Sequence, residues 1–254
     1  MDIFCYLPTW KKQREEDRRE NLSLGFVPTM GALHRGHLSL VEKSLEDNDR
    51  TLVSLFINPT QFDNEGDLDA YPNLVEQDMD LLKEAGVQYV LLPDYDMIYP
   101  DKYRYQITET EESRLLCGAH RPGHFNGVLT VVMKLLNIAQ ADRAYFGEKD
   151  YQQYRLVQGM VEAFFMDTEV IPCSLIREED GLAMSSRNLR LSKEQRQTAG
   201  KFNQILSTAE SLSSAKEMLK KAGFTVDYVE ELWGRRLAAV SLGEVRLIDN
   251  VTRS

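Results

Sequence analysis

Between residues 22 and 173 the chain repeatedly exchanges a short apolar run for a longer stretch with apolar residues at helical spacing, and this alternation leaves few folds open. LSLGFV (22–27) leads through a glycine-bearing turn into a helix-patterned stretch with Leu38, Val41 and Leu45 on one face, and then into TLVSLFI (51–57). A second helix is predicted over 74–85, with Leu74, Val75, Met79 and Leu82 inward and Gly86 as its C-cap, before the strand VQYVLL (87–92). A helix over 128–139, a short strand AYFG from Ala144, a helix after Lys149 and the strand TEVIPC (168–173) complete the pattern. Such alternation predicts an α/β fold with a parallel sheet covered by helices on both faces. With 254 residues, 43% of them hydrophobic, one sizeable core is expected.

After Arg177 the pattern changes. Ser192 followed by Gln195 forms a capping-box sequence, a helix is predicted over 215–222, and VDYVEE, LAAVSL and VRLIDN read as short strands. The expected organisation is therefore a sheet domain over 1–176 and a small C-terminal α+β domain over 177–254. KKQREEDRRE (11–20) mixes charges at i,i+4 spacing, as in Lys11/Glu15 and Glu15/Arg19, and reads as a solvated helix.

Forty acidic against 30 basic residues give a net charge of −10, which disfavours nucleic acid and anionic membranes as partners and requires any phosphate site to be locally basic. Cys5, Cys117 and Cys173 form no CxxC pair and suggest neither a disulfide framework nor a zinc ribbon, so a reducing cytoplasm is expected. The chain starts without the basic and apolar segments of a signal peptide, and no apolar run approaches the ~18 residues of a membrane span.

In parallel sheets ligands sit beyond the carboxyl ends of the strands. PTMGALHRGH (28–37) lies at such an end, as do NPTQF (58–62) and GEKD (147–150). His34 and His37 admit three readings: zinc ligands, phosphate binders, or surface histidines. A zinc site wants a third ligand, and His120 and His124 sit in a separate predicted loop with no HExxH helix. Position favours phosphate, because Gly31 and Gly36 allow close backbone approach at a helix N-terminus. Neither a GxxxxGK[ST] loop nor a GxGxxG loop is present. Lys149 in GEKD and the hydroxyls and guanidinium of MSSRN (184–188) offer further phosphate contacts, each weak alone.

Together they are specific. HxGH at a strand–helix junction and a later MSSR loop resemble the HIGH and KMSKS pair of nucleotidyl-transferring enzymes. PTMGALHRGH, FINPTQF, DLDAYP, RPGHFNGV, YFGEKDYQQ and DGLAMSSRN occur in the order found in the pantothenate synthetase (pantoate–β-alanine ligase) family, and the resemblance covers residues 25–191. It implies a Rossmann-like N-terminal domain, a small C-terminal domain that closes over the site, a homodimer, ATP with Mg²⁺, and condensation of D-pantoate with β-alanine through a pantoyl adenylate. It also implies site residues. His37 would be the proton donor, with His34, Lys149 and Arg187 as the other groups that stabilise the charge developing on phosphate. Met30, Gly31, Gly147, Glu148, Asp150, Ile176, Met184, Ser185 and Ser186 would line the ATP site. Gln61 and Gln153 would bind the pantoate hydroxyls, with Asn58 and Arg121 as neighbours and Phe56, Val131 and Val132 as an apolar wall; for the two valines, plain helix core is an equal alternative. Asp78 is the expected magnesium ligand, since a hard cation wants carboxylate oxygens, with a helix-surface acid as the alternative.

Three features depart from the family pattern: Gln77 and Asn73 stand where an acid and an arginine are common, and the tail around ELWGRRLAAVSLGEV is short. Another adenylyltransferase of the superfamily is the competing enzyme reading, and NPTQF with YQQ argues against it. A non-catalytic nucleotide-binding module would not need the complete reactive set, and a tRNA synthetase would want a basic surface.

Overall fold

The structure, a computed structural model, describes residues 1–63 and 65–253. It divides into two compact units, Met1–Gly147 with Gln152–Cys173, and Glu148–Tyr151 with Ser174–Ser254. Along the chain, the first part runs β1 (Asp2–Phe4), α1 (Leu7–Arg19), β2 (Leu24–Thr29), α2 (Arg35–Asp47), β3 (Arg50–Leu55), α3 (Glu65–Asp69) and α4 (Val75–Glu84). It continues with β4 (Tyr89–Leu91), α5 (Tyr95–Ile98), α6 (Leu116–His120), α7 (His124–Ala139), β5 (Arg143–Gly147), α8 (Tyr151–Ala163) and β6 (Glu169–Cys173).

All six strands are parallel and lie in the order β1-β4-β3-β2-β5-β6. From β2 the chain winds outward through β3 to β4, then returns to place β5 on the other side of β2. The crevice between the carboxyl ends of β2 and β5 is thus the topological switch point. On one sheet face Val27, Val53, Val90 and Tyr145 pack with Leu40 and Val41 of α2 and Leu82 of α4. Full burial of each such aliphatic side chain stabilises the fold by about 1.5–3 kcal/mol.

Two glycines set the helix positions. A Cβ at Gly25 would lie 2.1 Å from Ser44 Oγ, so only glycine lets α2 lie directly on β2. A Cβ at Gly127 would lie 2.3 Å from the Thr60 carbonyl, so glycine brings α7 against the 3₁₀ turn Pro59–Gln61. α7 begins at His124, four residues before the predicted start, and it carries His124 on its first turn.

The charged segment 11–20 is helical and mostly exposed as expected, but one side of the helix is buried. Trp10, Arg14 and Asp17 of α1 are buried. Arg14 donates to the Gln140 and Leu22 carbonyls and to Asp142, and Asp17 accepts from the Tyr89 hydroxyl. On its exposed side Lys12 and Glu16 form an i,i+4 ion pair, in place of the expected Lys11/Glu15 and Glu15/Arg19. No helix among the described residues is long and apolar enough to cross a membrane.

The second unit adds α9 (Lys193–Ala199), α10 (Lys201–Thr208), α11 (Leu212–Lys221), β7 (Thr225–Leu232), β8 (Arg235–Leu242) and β9 (Val245–Thr252). Its three strands form an antiparallel meander. Trp233 and Gly234 both take positive φ between β7 and β8, the tight two-residue hairpin geometry that matches strand twist. Phe202, Leu206, Leu219, Val229 and Val240 form its separate core. The Ser192–Gln195 capping box is present. The helix α10 has no counterpart among the predicted elements.

Candidate active site

In the first unit the site is built from the turn that leaves β2. Thr29 ends the strand with its hydroxyl donating to the Ser54 carbonyl at 2.8 Å, and it accepts from Gly31 N–H. Gly31 and Ala32 then both turn left-handed, with φ of +80° and +50°. For alanine that conformation costs roughly 1–2 kcal/mol. It is held by Asp78 of α4, whose Oδ2 accepts from Ala32 N–H at 2.8 Å and whose Oδ1 accepts from Leu33 N–H at 2.7 Å. Hydrogen bonds to a charged group contribute about 1.5–3 kcal/mol each, enough to outweigh the strain.

The turn delivers His34 as the N-cap of α2. Its Nδ1 accepts from Gly36 N–H at 3.1 Å, so this nitrogen is unprotonated and the ring proton is on Nε2. His37 stacks on it, with ring centroids 4.0 Å apart and planes at 28°. Two imidazolium charges at that separation would repel by about 4 kcal/mol at an effective dielectric of ~20.

A polar network follows β3. Asn58, 1% exposed, donates to Gln61 Oε1 and to the Gly127 carbonyl, and accepts from Thr60 and Tyr99 hydroxyls. The Gln61 amide nitrogen approaches Met30 Sδ at 3.2 Å. The Gln61 carbonyl accepts from His124 Nδ1 at 2.7 Å and from Arg121, which also bonds His124 Nε2 and pairs with Asp63. Burial raises the Tyr99 phenol well above its ordinary range, opposed by the bonds to Thr60 and Asn58, so it stays a neutral donor to Asn58. A cleft of about 330 Å³ opens beside the turn, lined by Met30, Gly31, Phe56, Asn73, Asp78 and Tyr95 among others.

The second unit holds its predicted residues with side chains from β8 and β9. Asn250 donates to the Glu148 and Lys149 carbonyls, and Arg235 joins Glu148 Oε1 at 2.6 Å while bonding Asn250 Oδ1. The Arg235 guanidinium lies 4.2 Å from the Tyr151 ring centroid. Lys149 Nζ is 3.5 Å from Asp150. Asp249, with its side chain fully buried, receives both Arg177 nitrogens at 2.8 and 2.9 Å. Arg177 also bonds the Gly181 and Asn250 carbonyls, and Met184 N–H bonds the Ile176 carbonyl, which closes the 177–183 hairpin. Ser185 caps the 3₁₀ turn Ser186–Arg190 by accepting from Arg187 N–H, Ser186 is buried, and Arg187 is half-buried.

Within each unit the expected residues fall into groups: His34 with His37, Gln61 with Met30, Asn58 and Arg121, and, in the second unit, Glu148 with Lys149 and Asp150, and Ile176 with Met184 to Arg187. Gly147 ends β5. Gln153 is half-buried on the first turn of α8 and makes no side-chain hydrogen bond among the described residues; its neighbour Gln152 is buried and bonded to Glu112, Leu115 and Cys117. Phe56, Val131 and Val132 are buried, Phe56 on the cleft and the valines in α7. The geometry of Asp78 does not fit the expected magnesium ligand: it is 1% exposed and both oxygens are taken by backbone N–H groups. Burial raises its carboxyl above the ordinary range, opposed by the bonds from Leu33 and Ala32. His124, Arg235, Asp249 and Asn250 were not among the expected site residues, although RPGHFNGV and VRLIDN contain three of them.

A family model described as Pantoate-beta-alanine ligase matches residues 3–252. Similar curated proteins include the pantothenate synthetases of Bdellovibrio bacteriovorus, 51% identical over 92% of this chain and 93% of that one, and of Legionella pneumophila strain Lens, 50% identical over 98% and 99%. The crystal structure of pantoate-beta-alanine ligase from Francisella tularensis, complexed with beta-gamma ATP and beta-alanine, superposes with a TM-score of 0.95 at 39% identity, covering 99% of this chain and 97% of that one. The pantothenate synthetase of Thermus thermophilus gives 0.90 at 38% identity, with 99% of each chain covered.

Proposed function

The chain belongs to the pantoate–beta-alanine ligase family, and on that premise we propose that it joins D-pantoate to β-alanine with ATP, through a pantoyl adenylate. A pantoate carboxylate oxygen attacks the α-phosphorus of ATP, and the bond to pyrophosphate breaks. The neutral amine of β-alanine then attacks the activated carbonyl, AMP leaves with the anhydride electron pair, and the amine loses a proton to give pantothenate. A carboxylate resists amines because its carbon is electron-rich and its oxygen leaves poorly; adenylation removes both obstacles.

The first step builds charge on phosphate oxygens, so donors aimed there lower the barrier more than they tighten substrate binding. The observation that carries the reading is the stacked His34–His37 pair at the N-terminus of α2. His34 supplies an Nε2–H donor of fixed tautomer, and His37 is assigned the proton transfer. Lys149, Asp150, Ile176, Met184, Ser185, Ser186 and Arg187 of the second unit are assigned ATP contacts, with Glu148 and Gly147 beside them. Gln61 and Gln153 are assigned the pantoate hydroxyls, with Asn58 orienting Gln61 and Arg121 holding its backbone. For the amine step, holding the two reactants in place supplies more than a strong base would.

Mg²⁺ belongs to the proposal as an escort of ATP. Among the described residues no group of three or more His, Cys, Asp or Glu is placed to hold a metal ion. The oxygen donors a hard cation wants would come from phosphates and water, and no step is assigned to it. A homodimer in the cytoplasm is part of the same reading; the adjacent Phe164 and Phe165, 53% and 93% exposed at the end of α8, are surface that a second copy would cover. Sedimentation of the intact chain checks the assembly.

Isotope exchange between pyrophosphate and ATP, with D-pantoate present and β-alanine omitted, tests the chemistry. Exchange that depends on D-pantoate is expected. Equal exchange with unrelated hydroxy acids, or none with pantoate, would overturn the assignment.

A further inference from the structure

We propose that Asp78 is a positioning residue for adenylate formation, fixing the turn that sets the His34–His37 pair. This rests on the proposed function for its kinetic arm but stands on the turn's geometry. Its two oxygens accept from consecutive backbone N–H groups, those of Ala32 and Leu33, across 46 and 45 residues of sequence. Those bonds fall where the chain between β2 and α2 takes two successive positive φ angles, one of them at a residue with a Cβ. The next residue is His34, whose ring caps α2 and stacks on His37. The carboxylate therefore clamps the turn, and the orientation of both imidazoles follows from it.

The fit is close. A Cβ on Gly31 would lie 2.9 Å from Asp78 Oδ2, so the carboxylate fills the space under the turn and the backbone rests on it. A carboxylate is needed because both contacts are N–H donors. Asparagine has nearly the same shape but one acceptor; its NH₂ would face an N–H, and the turn would lose one bond and gain a repulsion.

The alternative task for this carboxylate, holding Mg²⁺, makes a different prediction, so Asp78→Asn separates the two. The variant should fold, judged by far-ultraviolet circular dichroism. It should lose about 10²-fold in the pantoate-dependent exchange rate, as expected when a reacting group is displaced by about 1 Å. The half-activating Mg²⁺ concentration should stay within about twofold of the parent, since a residue bound only to backbone does not take part in metal binding. The imidazole ¹⁵N and ring ¹H resonances of His34 and His37 should move while those of His120 stay, a readout independent of activity. Asp78→Glu keeps two acceptors and borders the 330 Å³ cleft, so it should recover part of the rate. Asp80→Asn, on the exposed side of the same helix, is the control and should match the parent. A near-parental Asp78→Asn rate with unmoved histidine resonances, or a defect abolished by saturating Mg²⁺, would overturn the proposal. Absence of exchange in the parent would fail the ligase reading and leave the resonance test of the turn in force.

Discussion

The two units fix their candidate residues by opposite means. In the first, a buried carboxylate takes backbone N–H groups, and the strand end, the turn and the helix cap share one chain of main-chain contacts. In the second, the Asn250 carboxamide holds the backbone carbonyls of 148–149, and the Arg177 guanidinium holds the 177–183 hairpin to Asp249. Backbone clamps in a buried setting are short and little screened, whereas Arg–carboxylate pairs with partly exposed guanidinium groups respond to salt and pH. The first unit is accordingly expected to show its mutations in rate, and the second in stability.

Asp249→Ala should have the largest effect. It leaves Arg177 facing an empty buried position, and breaking such a pair costs about 3 kcal/mol, the low end of the range because Arg177 is partly exposed. A denaturant titration followed by Trp233 fluorescence should show the second unit unfolding early; an unchanged transition would remove the contrast. His37→Ala should come next, slowing adenylation about 10²-fold or more with little change in melting temperature. Near-parental single-turnover rates would take His37 out of the chemistry. Asn250→Ala removes two bonds to the carbonyls that flank Lys149, worth about 0.5–1.5 kcal/mol each, and should raise the KM for ATP more than it lowers kcat. A fall in kcat with KM unchanged would mean instead that Lys149 acts only in the transition state.

The smallest effect concerns acid. Asp180 is held below its ordinary range, first by the hydrogen bond from Arg196, with burial acting the other way. A lowered folded pKa gives stability that is full above about pH 4 and lost as the pH falls through the folded value. Asp78 has the opposite sign: raised by burial, it takes its proton more readily folded than unfolded, so its contribution grows as the pH falls. Arg196→Gln should therefore flatten the acid limb of the second unit's melting curve and leave the first unit's unchanged. A steeper limb in the variant would contradict the assigned sign.

What could be read from the sequence depended on the distance over which the physics acts. Gly86 and the Ser192–Gln195 box act over three or four residues, and both lie at the expected places. The apolar runs at 22–27 and 51–57 mark β2 and β3 because parallel strands buried on both faces are nearly continuous in hydrophobicity. The charged segment at 11–20 hides the burial of Arg14 and Asp17 because Gln140, Asp142 and Tyr89, which receive or bond them, lie 72 to 128 residues away along the chain. His124 reads as a loop residue until α7 places it on Gln61, 63 positions earlier. Asp78 lies on a helix pattern that marks its neighbours as inward, yet nothing local says that its own carboxylate is buried to receive two amides. The three-residue β1 is too short to announce itself.

The grip of Asn250 on the carbonyls flanking Lys149 has a consequence for biogenesis. A polypeptide still emerging from the ribosome has residues 148–151 in place roughly a hundred codons before the strand that secures them is translated. Such a nascent chain would display the histidine turn early and would gain its ordered lysine only once β9 has been made, so products truncated before Asn250 should be inert.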